Sequence, residues 1–221
     1  MAPALKEEYP EIARAARCWR WKRPLIIYEN QRFYEDRFVF ADPEVFEVLT
    51  FSFIAGDPQT ALREPYSVVV TASAAQKYFG DENPLGQRIS FWDNADESVL
   101  RSRAFNGNAF DLTVTGVVKD FPFNSSLEFD FLASFSTFGD TYEKEMWSTG
   151  PVTYLLLDEG ASPKALEAKL PAFVENTLAK ICKPPDSRPD FFSCRSKKFA
   201  NTFSAAMLTF LRWRRWPCLF W

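Results

Sequence analysis

The chain has 221 residues, a formal net charge of −3, 47% hydrophobic residues and no histidine. That length suits one large domain or two small subdomains, and the apolar content argues against wholesale disorder. The missing histidine excludes Ser-His-Asp and Cys-His catalysis and removes the commonest metal ligand. Phenylalanine occurs 23 times, so a well-packed aromatic core is expected.

Charge is divided unevenly. Residues 181–221 carry eight Lys/Arg against two Asp/Glu, and residues 1–180 carry 18 against 27. An acidic body argues against nucleic-acid binding. The four cysteines, Cys18, Cys182, Cys194 and Cys218, have no CxxC spacing and form neither a disulfide framework nor a zinc site. No stretch reaches the ~18–20 apolar residues of a membrane span, and no signal peptide is visible.

In chain order, residues 5–17 read as a helix in which Pro10 means a kink or a late start. Leu25–Tyr28 and Arg32–Phe40 read as paired strands around Glu29–Gln31. Asp42 reads as the N-cap of a short helix, Pro43–Leu49, and Gly56–Pro58 as a turn. The apolar run Ser67–Val70 reads as a strand buried on both faces. Thr71 then caps a helix, Ala72–Phe79, closed by Gly80. Strands Gln87–Trp92 and Asp111–Lys119 flank a polar hairpin loop at Asn94–Asn108. Leu127–Ser134 alternates as a half-exposed strand, and Val152–Leu157 reads as a buried one. A helix from Pro163 places Leu166, Leu170, Phe173, Val174 and Leu178 on one face, with a kink at Pro171. From Lys183 to Pro189 the pattern breaks, and the basic, Trp-rich segment beyond it shows no sustained period.

Several motifs invite a chemical reading, and most have a simpler one. Asp57 and Asp120 read as turn residues rather than a carboxylate pair. Thr71–Ser73 reads as a helix cap rather than a nucleophile or an anion site. Asp81 and Glu82 read as a solvated helix end rather than a cation cage. Gly80 and Gly86 belong to no phosphate loop, so any ATPase activity is expected on another polypeptide. The Arg212–Trp216 cluster looks like a membrane or nucleic-acid patch, but it lacks amphipathic periodicity. Phe121-Pro122-Phe123 stays open between two readings: an exposed contact surface for a partner, or a plug packed back onto the sheet.

Five ordered blocks carry a family resemblance. They are PALKEEYPEI (3–12), ADPEVFEVLTFSFIAGDP (41–58), SVVVTASAAQKYFGDENPLGQRI (67–89), VTGVVKDFPFNSSLEFDFLASF (114–135) and WSTGPVTYLLLDEG (147–160). Together they resemble the MacB-like periplasmic core domain of FtsX-like ABC-transporter permeases, over roughly residues 3–180. The resemblance implies an α+β fold in two parts, a porter-like βαβ subdomain with a smaller, mostly β subdomain inserted at about residues 85–135. It implies a non-catalytic extracytoplasmic domain with no cofactor, on the periplasmic face of the inner membrane. The partners it implies are a separate ATPase subunit and permease membrane helices, with a dimer in the full transporter. The expected division is a core at 1–180 and an atypical, poorly ordered tail at 181–221. The missing first membrane helix and the divergent tail fit a truncated or frameshifted gene. The alternative is a stand-alone periplasmic ligand-binding module that uses the cleft between its subdomains.

Overall fold

The computed structural model describes residues 2–93, 109–122, 125, 127–139 and 151–181. The elements run α1 (Ala2–Glu8), β1 (Ile12–Trp21), β2 (Leu25–Tyr28), β3 (Gln31–Tyr34), β4 (Phe38–Ala41), α2 (Val45–Val48), β5 (Phe53–Gly56), β6 (Ser67–Thr71), α3 (Ala72–Phe79), β7 (Arg88–Trp92), β8 (Phe110–Val118), β9 (Phe131–Ser134), a 3₁₀ turn (Phe135–Phe138), β10 (Val152–Leu157) and α4 (Pro163–Ile181). The fold is α+β, as expected. One curled, mixed sheet has the order β10-β1-β4-β9-β6-β8-β7-β2-β3, and β5 pairs with β8 beside it. Two pairings, β4–β9 and β6–β8, are parallel. The 85–135 segment supplies β7, β8 and β9. Its ladder is continuous with the rest through β6–β8 and β4–β9.

Three strands in the middle of the order, β4, β9 and β6, are buried along their whole length. Their side chains alternate between two cores. Phe38, Phe40, Val68, Val70, Phe131 and Ala133 enter an aromatic cluster with Trp19, Trp21 and Phe91, under α3 and the 3₁₀ turn. Val39, Ala41, Val69 and Leu132 enter a second cluster with Val45 and Val48 of α2, Leu62 and Phe129. A third cluster joins α1 to α4, with Leu5, Tyr9, Ile12, Leu166, Leu170 and Phe173. Aromatic contacts such as Trp21–Phe40, with centroids 5.5 Å apart, each add about 0.5–1.5 kcal/mol beyond burial.

The N-terminal reading needs correction. The helix stops at Glu8, and residues 12–21 form the long strand β1 instead. Pro10 disfavours helix at its own position and at the residue before it. Beyond it, β1 is paired on both sides, with β10 and with β4. Two ladders outweigh the high helix propensity of an Ala/Arg-rich segment. The expected strand 32–40 is two strands that part at Glu35–Arg37 and join different neighbours.

Asp42 is not a side-chain cap. Its carboxylate accepts hydrogen bonds from the Arg17 backbone N–H, from Nε at 2.8 Å and from Nη2 at 2.8 Å. Both residues are buried, and the guanidinium lies 4.2 Å from the centroid of the Phe135 ring. A charge at that depth needs such a partner, so Asp42 is bound across the β1–β4 pair.

Thr71 caps α3 as expected, its Oγ1 accepting from the Ala74 N–H at 3.3 Å. Gly80 ends that helix with φ +58°, and its N–H donates to the Gln76 carbonyl. The half-exposed strand expected at Leu127–Ser134 is instead a buried strand at 131–134 with neighbours on both sides, preceded by a loop that buries Leu127 and Phe129. β10 is only half buried: it lies at the end of the order and, among the described residues, pairs with β1 alone. The loop expected at 94–108, the side chains of Val174 and Leu178, and the tail beyond Ile181 lie outside the described residues.

β5 passes close to β8. Gly56 has φ +86°, and a Cβ there would stand 2.4 Å from the Thr115 carbonyl oxygen. Thr115 lies at a register shift in the β6–β8 pair, and its Oγ1 donates to the Ala61 carbonyl at 2.6 Å.

Two stability measurements follow from this packing. Val69→Asp places a carboxylate in a fully buried site of the central ladder and should cost about 3–5 kcal/mol; a melting temperature within a few degrees of the parent would contradict the placement of β6. Gly56→Ala combines a left-handed backbone with a backbone collision and should cost about 2–4 kcal/mol by denaturant titration. An unchanged midpoint would mean that β5 does not approach β8 this closely.

Candidate contact surface

The chain leaves β8 with Lys119 donating its N–H to the Ser52 carbonyl at 2.8 Å. The carboxylate of Asp120 then accepts the N–H of Ser73 at 3.1 Å, in the first turn of α3. Asp120 thus has a structural role that the turn reading did not foresee. Phe121 follows, half buried. Its ring meets Phe129 at 4.7 Å and Phe51 at 6.0 Å, both edge-on. Phe46 continues the group, with Phe51 at 5.4 Å and Phe53 at 5.1 Å. Pro122 is exposed. Its carbonyl accepts the Ser125 N–H at 2.9 Å, closing a turn. Phe123 lies outside the described residues. Phe121 therefore packs back onto the second cluster while part of its ring stays open beside exposed Pro122. Half-buried Phe121 and exposed Pro122 thus lie next to each other at the margin of the second cluster.

The other residues singled out from sequence fall into local roles. Asp57 accepts the Gln59 N–H at 3.0 Å in a turn. Asp81 and Glu82 are exposed at the end of α3. Among the described residues, no group of three or more His, Cys, Asp or Glu is arranged to hold a metal ion. Cys18 is buried, and its thiol pKa is pushed up by burial and then by the nearby Asp42 charge. A thiol held protonated in this way is a poor nucleophile.

A second polar constellation was not found by sequence reading. Glu35 is 6% exposed. It accepts from Lys77 Nζ at 2.7 Å and from the Tyr78 hydroxyl. Burial and the Glu35 carboxylate raise the Tyr78 pKa. Two residues beyond Glu35, Arg37 donates Nε to Asp130 at 2.9 Å. Burial raises the Asp130 pKa and Arg37 works against that rise. These contacts clamp the Glu35–Arg37 bend to α3 and to the entry of β9. Glu35 and Lys77 are 42 residues apart, and no local pattern announces such a pair.

A family model described as the MacB-like periplasmic core domain matches residues 1–173. Comparison with curated proteins finds no match. Among solved structures, the chain is similar to a domain ascribed to a permease protein from Porphyromonas gingivalis, with 26% identity and a TM-score of 0.61, covering 80% of this chain and 69% of that one. It is similar to the periplasmic region of MacB from Actinobacillus actinomycetemcomitans, with 17% identity, a TM-score of 0.55 and coverage of 80% and 72%. It is also similar to the extracellular domain of the noncanonic ABC-type transporter YknZ from Gram-positive bacteria, with 11% identity, a TM-score of 0.52 and coverage of 80% and 82%. The last two likenesses concern the fold alone. With the family model spanning most of its length, the chain belongs to the MacB-like periplasmic core domain family of ABC-transporter permeases.

Proposed function

We propose that this domain is the non-catalytic extracytoplasmic coupling element of an ABC permease. A separate ATPase subunit hydrolyses ATP, the permease membrane helices move, and this domain carries that motion to a substrate or partner on the far side of the membrane. It works as one half of a dimeric transporter. Residues 1–180 act as its functional unit, and the basic segment 181–221 lies outside that unit.

The observation that carries this reading is the packing of α1 against α4. Leu5 and Tyr9 share one apolar cluster with Leu166, Leu170 and Phe173. The rings of Tyr9 and Phe173 meet at 5.8 Å, and Lys169 Nζ donates to the Glu11 carboxylate at 2.6 Å. The same cluster takes in Ile12 and Ala15 of β1 and rests on Leu155 and Leu157 of β10. A displacement applied at either helix therefore enters the sheet at one place. In this reading Phe121, Pro122 and Phe123 are the residues that contact a partner.

Among the described residues no helix is long and apolar enough to cross a membrane. The purified chain should show no saturable ATP binding at micromolar concentration, because the sequence holds no phosphate loop; saturable binding in that range would end the non-catalytic reading. Coupling itself is tested by grafting the domain between the first two membrane helices of a MacB-type permease and reconstituting it with the cognate ATPase. Transport and transport-linked ATP turnover should persist. Leu166→Ala with Phe173→Ala should leave ATP turnover and reduce transport at least tenfold. A folded, assembled graft that transports equally well with and without these changes would refute coupling through α1 and α4.

A further inference from the structure

The far end of the sheet carries a feature that the coupling role does not use. β3 is the last strand in the order, and among the described residues no strand pairs with its outer edge. All four of its residues are exposed. The register of the β2–β3 hairpin determines what that edge offers. Tyr28 pairs with Gln31 across the two-residue turn Glu29–Asn30, and Ile26 pairs with Phe33. The Glu35 N–H donates to the Pro24 carbonyl at 3.0 Å, two positions further on. Hydrogen-bonded pairs alternate with non-bonded ones along an antiparallel ladder. Bonded pairs at 28/31, 26/33 and 24/35 leave 32 and 34 as the non-bonded positions, so the N–H and C=O groups of Arg32 and Tyr34 point away from β2, toward the open edge.

The two faces of this end differ. On one face Ile26 and Phe91 are fully buried, and Phe33 stands edge-on to Tyr78 of α3 at 5.6 Å. On the other face Trp92, Leu25 and Tyr34 stand in one lateral row, each directly opposite the next. Trp92 is 47% and Tyr34 50% exposed. Residues directly opposite in a ladder share a face, so this apolar row ends at the open edge. Arg32 is two residues from Tyr34 on the same face and is exposed; Arg23, 5.7 Å from the Tyr34 ring centroid, is already paired with Asp36 at 3.2 Å. Arg32 thus brings the positive charge to this edge of an acidic body.

We infer that β3 is a strand-addition site for an extended, acidic-apolar segment of a partner protein. Main-chain bonds to Arg32 and Tyr34 give the attachment, and the side chains give the choice of partner. In an antiparallel addition, the residue beside Tyr34 prolongs the Trp92–Leu25–Tyr34 row and is apolar. The residue beside Phe33 is apolar as well. The residue beside Arg32 is a carboxylate. The partner segment thus reads apolar–apolar–acidic from its N-terminal side. β3 has neither a proline nor a register shift to blunt its edge. A bilayer fits less well, because β3 lies at the opposite end of the strand order from β1 and β10, on which α1 and α4 pack.

The test uses the full chain and a fluorescein-labelled heptapeptide with the central sequence valine–valine–glutamate–threonine. Anisotropy should report saturable binding with a Kd on the order of 100 μM at low salt. Replacing the glutamate by lysine should weaken binding at least fivefold, and Arg32→Glu should reverse that preference. Trp92→Ser, a second exposed position, should weaken both peptides. Hydrogen exchange should slow at the Arg32 and Tyr34 amides and stay unchanged at Gln31 and Phe33. Absence of saturation up to about 1 mM, insensitivity to the charge changes, or protection confined to other strands would each overturn the inference. So would self-association of the chain that protects the same two amides without peptide, since the edge would then belong to a second copy.

Discussion

The three strands β4, β9 and β6 are buried along their whole length, and every other element answers to that constraint. A strand buried on both faces needs cover on both sides. The two covers are unlike. Phe38, Phe40 and Phe131 face α3 and the aromatic cluster, whereas Val39, Ala41 and Leu132 face α2 and the 57–64 turn. A register slip of one residue would exchange the two sets and drive phenylalanines into space shaped for alanine and valine. The Phe38 and Phe131 rings, stacked at 5.8 Å across the parallel pair, hold the register from one side. The crowding at Val39, Ala41 and Leu132 holds it from the other.

The buried Arg17–Asp42 pair fixes the next strand outward. It ties β1 to the exit of β4 through backbone and side-chain bonds. A pair of this kind adds little net stability, since desolvation offsets most of its attraction, yet losing one partner typically costs about 3–5 kcal/mol. Its effect here is on specificity. β1 has apolar residues on both faces, and alanines at 13, 15 and 16 do little to discriminate between registers. An arginine that finds its carboxylate in only one alignment supplies that discrimination.

The sequence was most legible where local chemistry and tertiary position agree. Ser67–Phe79 is the clearest case. Its continuous valines need a doubly covered strand, Thr71 can cap, and Gly80 can take positive φ, and each of these is found. It was least legible where long-range pairing overrules local preference. Residues 12–17 have the composition of a helix and become strand because β10 and β4 bracket them. Asp42 before Pro43 looks like a cap and is instead claimed by Arg17. The alternation at Leu127–Asp130 is real, but it belongs to a loop that drops Leu127 and Phe129 into the second cluster. At the candidate surface, Phe121 was visible as an aromatic beside a proline, and its half-buried place depends on Phe51, about 70 residues earlier in the chain. Glu35 had no signal at all, because its partners Lys77 and Tyr78 lie on a helix that only the fold brings near.

These features bear on how a coupling domain would move. Among the described residues, no buried side-chain nitrogen or oxygen lacks a hydrogen-bond partner. The ladder runs unbroken from β10 to β3. Close-packed interiors with satisfied polar groups do not deform continuously; they move as bodies or switch between discrete packings. The coupling proposed here therefore favours rotation of the whole sheet about the α1–α4 end over a change of shape within it. In that proposal, motion delivered there is carried to the opposite end of the sheet, which holds the β2–β3 hairpin. The hairpin is fastened by the bonds of Glu35 to Lys77 and Tyr78, by its ladder to β7, and by the packing of Ile26 and Phe33. An edge strand held that firmly can pull on whatever adds to it, and this mechanical property separates a working contact from an incidental one.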